Sequence, residues 1–105
     1  MYSIITTYKI KDEYLIDFIE LFEEVSKGIV KENGCVRFEL YQDTSDRSKL
    51  TTVEEWENDL LYKEHLDTEF IYYLSEQVKR MTVDSHDKQY LWKKFCNSQN
   101  ISNLA

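Results

Sequence analysis

Residues 50–65 read LTTVEEWENDLLYKEH, and the hydrophobic period changes partway along them. Leu50, Thr52, Glu54 and Trp56 alternate with Thr51, Val53 and Glu55, the period of two that sends successive side chains to opposite faces of a β-strand. From residue 57 the alternation stops. Glu57 or Asn58 stands where a helix cap is wanted, Leu60 and Leu61 follow, and a short acidic helix carries His65. A strand therefore feeds a helix that delivers a histidine, and the rest of the chain is placed around that unit.

Upstream, residues 35–42 (CVRFELYQ) alternate again, with Val36, Phe38 and Leu40 on one face and Arg37, Glu39 and Tyr41 on the other. The polar stretch DTSDRSK at 43–49 reads as a turn, so the two strands form an antiparallel hairpin. Before it, Asp12 offers an N-cap and Leu15, Phe18, Phe22, Val25 and Ile29 recur at helical spacing over about five turns. Gly28 within this helix marks either close packing or a weak spot near its end, and Asn33-Gly34 stops it. Residues 2–10 (YSIITTYKI) are a strand with apolar residues on both faces, which predicts a helix layer on one side and a second subunit on the other.

Downstream, a helix over 67–81 sets Phe70, Leu74, Val78 and Met81 on one face, flanked by Tyr72 and Tyr73. Residues 82–85 connect to a last strand at 86–92, and 93–105 form a polar tail, frayed from Asn97 on. The order β-α-β-β-α-β is that of a ferredoxin-like α+β fold, an antiparallel sheet with helices on one face.

The chain of 105 residues has room for one domain, assigned to 1–92, and its eight Tyr, five Phe and two Trp suffice for a core. Its formal net charge of -7, with no basic stripe, argues against nucleic acid as a partner. No apolar run suits a membrane span, and Met1 leads straight into a strand instead of a signal peptide, so a cytoplasmic location is expected. Cys35 and Cys96 are then expected to stay reduced. No metal site is expected either, because the carboxylate run Glu54, Glu55, Glu57 and Asp59 has no histidine pair beside it.

The fragments Glu32-Asn33-Gly34-Cys35, Phe38-Glu39-Leu40-Tyr41-Gln42-Asp43, Glu54-x-Trp56 and His65, in that order, resemble antibiotic biosynthesis monooxygenase domains over about residues 2–92. The resemblance implies a homodimer in which two sheets pack as a dimeric α+β barrel, with a ligand pocket between each sheet and its helices. It also implies one of several activities: cofactor-independent oxygenation of quinols and anthrones, haem degradation, or isomerisation of a phosphorylated quorum-signal derivative. Fold alone does not choose among these.

Oxygenation without a cofactor requires a phenolic substrate to lose its proton, because the phenolate passes an electron to dioxygen far more readily than the phenol. A phenol titrates near 10, so a base and a sheltered pocket must favour the anion. His65 is the candidate base, its ordinary pKa of about 6.5 suiting proton transfer near neutrality. A histidine that merely packs a helix junction is the alternative. Glu54 is a candidate to orient His65 or accept a hydrogen bond, or else a buried partner of Arg37. Trp56 could stack a planar substrate or simply close the core, and Tyr41, Phe70, Tyr72 and Tyr73 could line an apolar pocket or belong to ordinary packing. His86 carries no signal.

By the same resemblance haem degradation fits poorly, since Ser75 stands where haem-degrading relatives place the axial histidine. An isomerase would need a cationic clamp, for which Arg37, Lys88 and Lys93 are available. The expected function is cofactor-independent monooxygenation of a quinol- or anthrone-like aromatic with dioxygen as co-substrate. The alternatives are the isomerase and a non-catalytic ligand-binding dimer.

Overall fold

In the computed structural model, which describes residues 1–83 and 86–96, the elements run β1 (Tyr2–Lys9), a 3-10 turn (Asp12–Tyr14), α1 (Leu15–Ile29), β2 (Cys35–Gln42), β3 (Lys49–Trp56), α2 (Asp59–Leu66), α3 (Glu69–Met81) and β4 (Asp87–Leu91). The four strands form one sheet in the order β2-β3-β1-β4, every neighbouring pair antiparallel. This is the ferredoxin-like arrangement. The connection expected at 82–85 lies partly outside the described residues, and the tail from 97 on lies wholly outside them.

Strand alternation decides which side chains meet the helices. Ile4 and Thr6 of β1 and Leu50, Thr52, Glu54 and Trp56 of β3 are buried on the helix-covered face. Against them pack Phe18, Phe22, Val25 and Ile29 of α1 and Leu74, Val78 and Met81 of α3. Among the described residues no helix lies over the opposite face, which carries Ile5, Val53, Arg37 and Glu55.

Three local expectations change. The α1 helix starts at Leu15 after the 3-10 turn and has no side-chain cap, so Asp12 does not cap it. Val36 is half exposed because a bulge between Cys35 and Arg37 shifts the register, and Cys35 takes the inward place opposite Trp56. In α3 Phe70 is 41 % exposed. Ile71 packs on the core in its stead, because Thr68 caps the helix through the Ile71 N–H and sets the phase of its first turn.

Candidate active site

The β3 strand ends with Glu54 and Trp56 side by side on the covered face. Trp56 is fully buried, and its indole N–H donates to Glu54 Oε1 at 3.2 Å. Two residues later Asn58 caps α2, accepting from the Leu61 N–H at 2.9 Å. The helix thus starts as soon as the strand stops, and its last turn lays the His65 ring over Trp56, with ring centroids 4.6 Å apart. His65 is 5 % exposed.

The link between α1 and β2 supplies the partner of His65. Gly34 holds φ at +86°, a conformation costly for other residues, and a Cβ there would lie 2.5 Å from the Leu61 side chain. The Gly34 carbonyl also accepts from the Glu57 N–H at 2.9 Å. This close approach of the loop to α2 brings both Glu32 carboxylate oxygens to His65 Nδ1, at 2.9 and 3.0 Å. Glu32 accepts from Nδ1–H, so in the neutral ring Nε2 keeps the lone pair.

His65 and Glu54 both line a cavity of about 230 Å³ between the sheet and the helices. Its walls are largely apolar, from Phe22, Phe38, Ile71, Leu74 and Val78, with Tyr8 and Tyr62 adding phenol groups. Burial pushes the Glu54 carboxyl above its ordinary value, against the opposing pull of the Trp56 hydrogen bond and of the His65 and Lys88 charges. Burial, then the nearby Glu54, pushes Tyr8 up to about 12. The same two causes raise Tyr62, so both phenols remain proton donors near neutrality. A neutral His86 is favoured by burial and by Lys88. The arrangement offers a ring nitrogen able to take a proton, fixed by a carboxylate behind it, at a cavity whose walls are largely apolar.

Of the catalytic and substrate-stacking candidates named from the sequence, Glu54 and His65 meet at this cavity and the five aromatic ones do not line it. Trp56 is core, walled off beneath His65, with no exposed ring to stack on a ligand. Tyr41 lies on the uncovered sheet face, where its hydroxyl donates to Glu39 at 3.0 Å and accepts from Arg37 at 3.1 Å. Phe70, Tyr72 and Tyr73 point outward from α3, Tyr72 donating to Asp67 at 3.2 Å. Arg37 pairs with Glu55 at 2.9 Å, not with Glu54, because neighbouring strand residues face opposite sides.

The sequence had not marked Glu32 as the partner of His65, nor Tyr8, Tyr62 and His86 as cavity residues, whereas Lys88 had been named only as a cation for a phosphate clamp. Tyr62 stood three residues before His65, one helical turn away, and Tyr8 shared a strand face with Ile4 and Thr6, so for these two a signal existed. Among the described residues no three His, Cys, Asp or Glu side chains are grouped as a metal site would need. No helix there is long and apolar enough to cross a membrane.

The model of the family called antibiotic biosynthesis monooxygenase matches residues 1–71. The chain belongs to the antibiotic biosynthesis monooxygenase family. The matched span holds β1 to α2 and with them Glu32, Glu54 and His65. No curated protein matches the chain. Among solved structures, a candidate antibiotic biosynthesis monooxygenase from Deinococcus radiodurans aligns with a TM-score of 0.85 at 16 % identity, covering 93 % of this chain and 97 % of its own. Rv0793 from Mycobacterium tuberculosis aligns at 0.84 and 15 % identity over 92 % and 98 %. A conserved protein from Methanosarcina mazei aligns at 0.84 and 19 % identity over 89 % and 92 %. At these identities the structural likeness establishes the fold that this family member shares with them.

Proposed function

We propose that the protein is a cofactor-independent monooxygenase that oxidises a quinol- or anthrone-like aromatic with dioxygen. The observation that carries this reading is the Glu32-held His65 at the edge of a largely apolar cavity. His65 Nε2 takes the phenolic proton of the substrate, and the imidazolium formed is stabilised by the Glu32 carboxylate. The substrate anion then reduces dioxygen. For an anthrone-type substrate a ring CH₂ becomes C=O, one dioxygen is consumed and one water leaves, so the substrate itself supplies the electrons. Tyr62, kept neutral, is the donor we assign to the oxygen that carries the charge.

The same reading includes a homodimer formed through the helix-free sheet face, where Ile5, Thr51 and Val53 surround the Arg37–Glu55 pair. Ser75 does line the cavity, but its hydroxyl is not the ligand that haem iron ordinarily takes. An isomerase of a phosphorylated compound is less well supported. Of the cations the sequence offered for its clamp, Arg37 is bound to Glu39 and Glu55 on the far face and Lys93 lies over Phe95, which leaves Lys88.

Oxygen uptake across a panel of reduced quinones and anthrones, with a chelator in the control, tests the activity. His65→Ala is expected to lower the rate by roughly 100-fold or more, the usual worth of a positioned base, while the folded chain's circular dichroism is kept. An unchanged rate would remove His65 from the mechanism. Tight ligand binding with no oxygen consumed by any member of the panel would favour a non-catalytic binding protein.

A further inference from the structure

The sheet face beside the cavity carries a second polar group of residues for which proton abstraction at His65 has no use. Thr52 of β3, Thr6 of β1 and Lys88 of β4 are register partners, Thr6 opposite both of the others, so the three side chains cross the covered sheet face as one rung. Glu54 stands two residues from Thr52 on that face. Thr6 and Thr52 are each 1 % exposed, and both hydroxyls stand within reach of the Tyr8 hydroxyl, though neither makes a well-directed hydrogen bond. Buried hydroxyls left in this state are costly and ordinarily have a partner, from the protein, from water or from a ligand. The His86 Nδ1 atom is buried and unpartnered as well, with its ring 4.6 Å from that of Tyr8.

Lys88 adds a charge to this rung. It lines the cavity and is close enough to act on both Glu54 and His86, yet among the described residues no carboxylate lies within 4.0 Å of its ammonium. The Lys88 ammonium, the Tyr8 phenol and the Thr52 hydroxyl bring three donors to this part of the cavity, one of them charged. Such a set fits an anionic oxygen, and its place at the cavity fits one attached to the same ring that meets His65.

We propose that Lys88, Thr52 and Tyr8 form a subsite for a carboxylate carried by the aromatic ligand, so that the preferred ligand is a hydroxyaryl carboxylic acid. This names the substrate class of the site described above and rests on its location at the same cavity. It does not require that the ligand be oxidised. Lys88, which lines the cavity, gives the carboxylate its charge partner.

Calorimetric titration with 2,5-dihydroxybenzoic acid and with its methyl ester reads the subsite directly, under nitrogen so that no turnover intervenes. The acid is expected to bind at least about tenfold more tightly than the ester, the effect of one charge-assisted hydrogen-bonded contact. Lys88→Met, a change on an exposed edge strand, is expected to abolish that preference while leaving ester binding alone. Thr52→Val is expected to narrow the preference, with an unchanged melting curve as its control. Equal binding of acid and ester, failure of both to bind, or an undiminished preference in Lys88→Met would overturn the proposal. Oxygen uptake in separate runs keeps the two readings apart. Selective acid binding without uptake retains the subsite and removes the oxygenase, whereas uptake from quinols without acid preference does the reverse.

Discussion

At the scale of single residues, the site depends on two carboxylates with different surroundings. Glu32 is partly exposed and faces His65 Nδ1. In the proposed mechanism it is a positioning residue, holding the ring so that Nε2 is the basic nitrogen. Glu32→Gln keeps the size but removes the charge that stabilises the imidazolium, so kcat should fall by roughly 10- to 100-fold and the pH profile of kcat should move, with KM little changed. A profile that keeps its wild-type position would reduce Glu32 to a packing role. Glu54 is 7 % exposed, and burial raises its pKa above 4.5. The folded chain therefore holds this proton more tightly than the unfolded chain does, and the stability that protonation contributes is fully present below the unfolded value and lost as pH rises through the folded one. Glu54→Gln keeps an acceptor for the Trp56 N–H and should melt above wild type at neutral pH. The gap should close as the medium is acidified into the carboxylate range, and a gap that grows on acidification would contradict the assignment.

At the scale of elements, the two glycines play unlike parts. Gly28 has nothing within 4 Å of where a Cβ would sit, so of its two possible meanings the weak spot is the one found. Gly28→Ala should stabilise by up to about 1 kcal/mol in chemical denaturation. Gly34 combines a positive φ with contact against Leu61, and Gly34→Ala should cost more than about 1 kcal/mol. Because that loop also brings Glu32 to His65, the same variant should lose activity beyond its loss of stability. Element order and most strand limits were legible from alternation, since a strand buried on one face writes its period into the sequence. The bulge at Val36 was not, because a single inserted residue leaves the composition of the strand unchanged and only the pairing with Trp56 reveals it. The inward face of α3 differs at Phe70 for a similar reason: spacing alone admits Phe70 four residues before Leu74 as readily as Ile71 three before it, and the folded helix turns Ile71 inward.

At the scale of the whole molecule, one sheet face is covered by helices and holds the cavity, and the other carries Ile5 and Val53 around buried Glu55. A homodimer through that face would remove this surface from water, and the small size of the chain favours such a gain. In sedimentation velocity the proposed homodimer should give the mass of two chains, and Val53→Arg, which puts a cation at the centre of that face, should reduce it to one. Identical masses for both proteins would place any interface elsewhere. By itself the sequence determined the α+β order of elements, the family resemblance and the histidine at the end of α2, because period, caps and turns are local properties. Only the tertiary structure decided that Trp56 is core, that Tyr41, Phe70, Tyr72 and Tyr73 stand away from the cavity, and that Glu32, Tyr8 and Lys88 converge where His65 waits. Those facts depend on loop closure, register and helix phase, which join residues far apart in the chain and leave no mark on any single stretch of it.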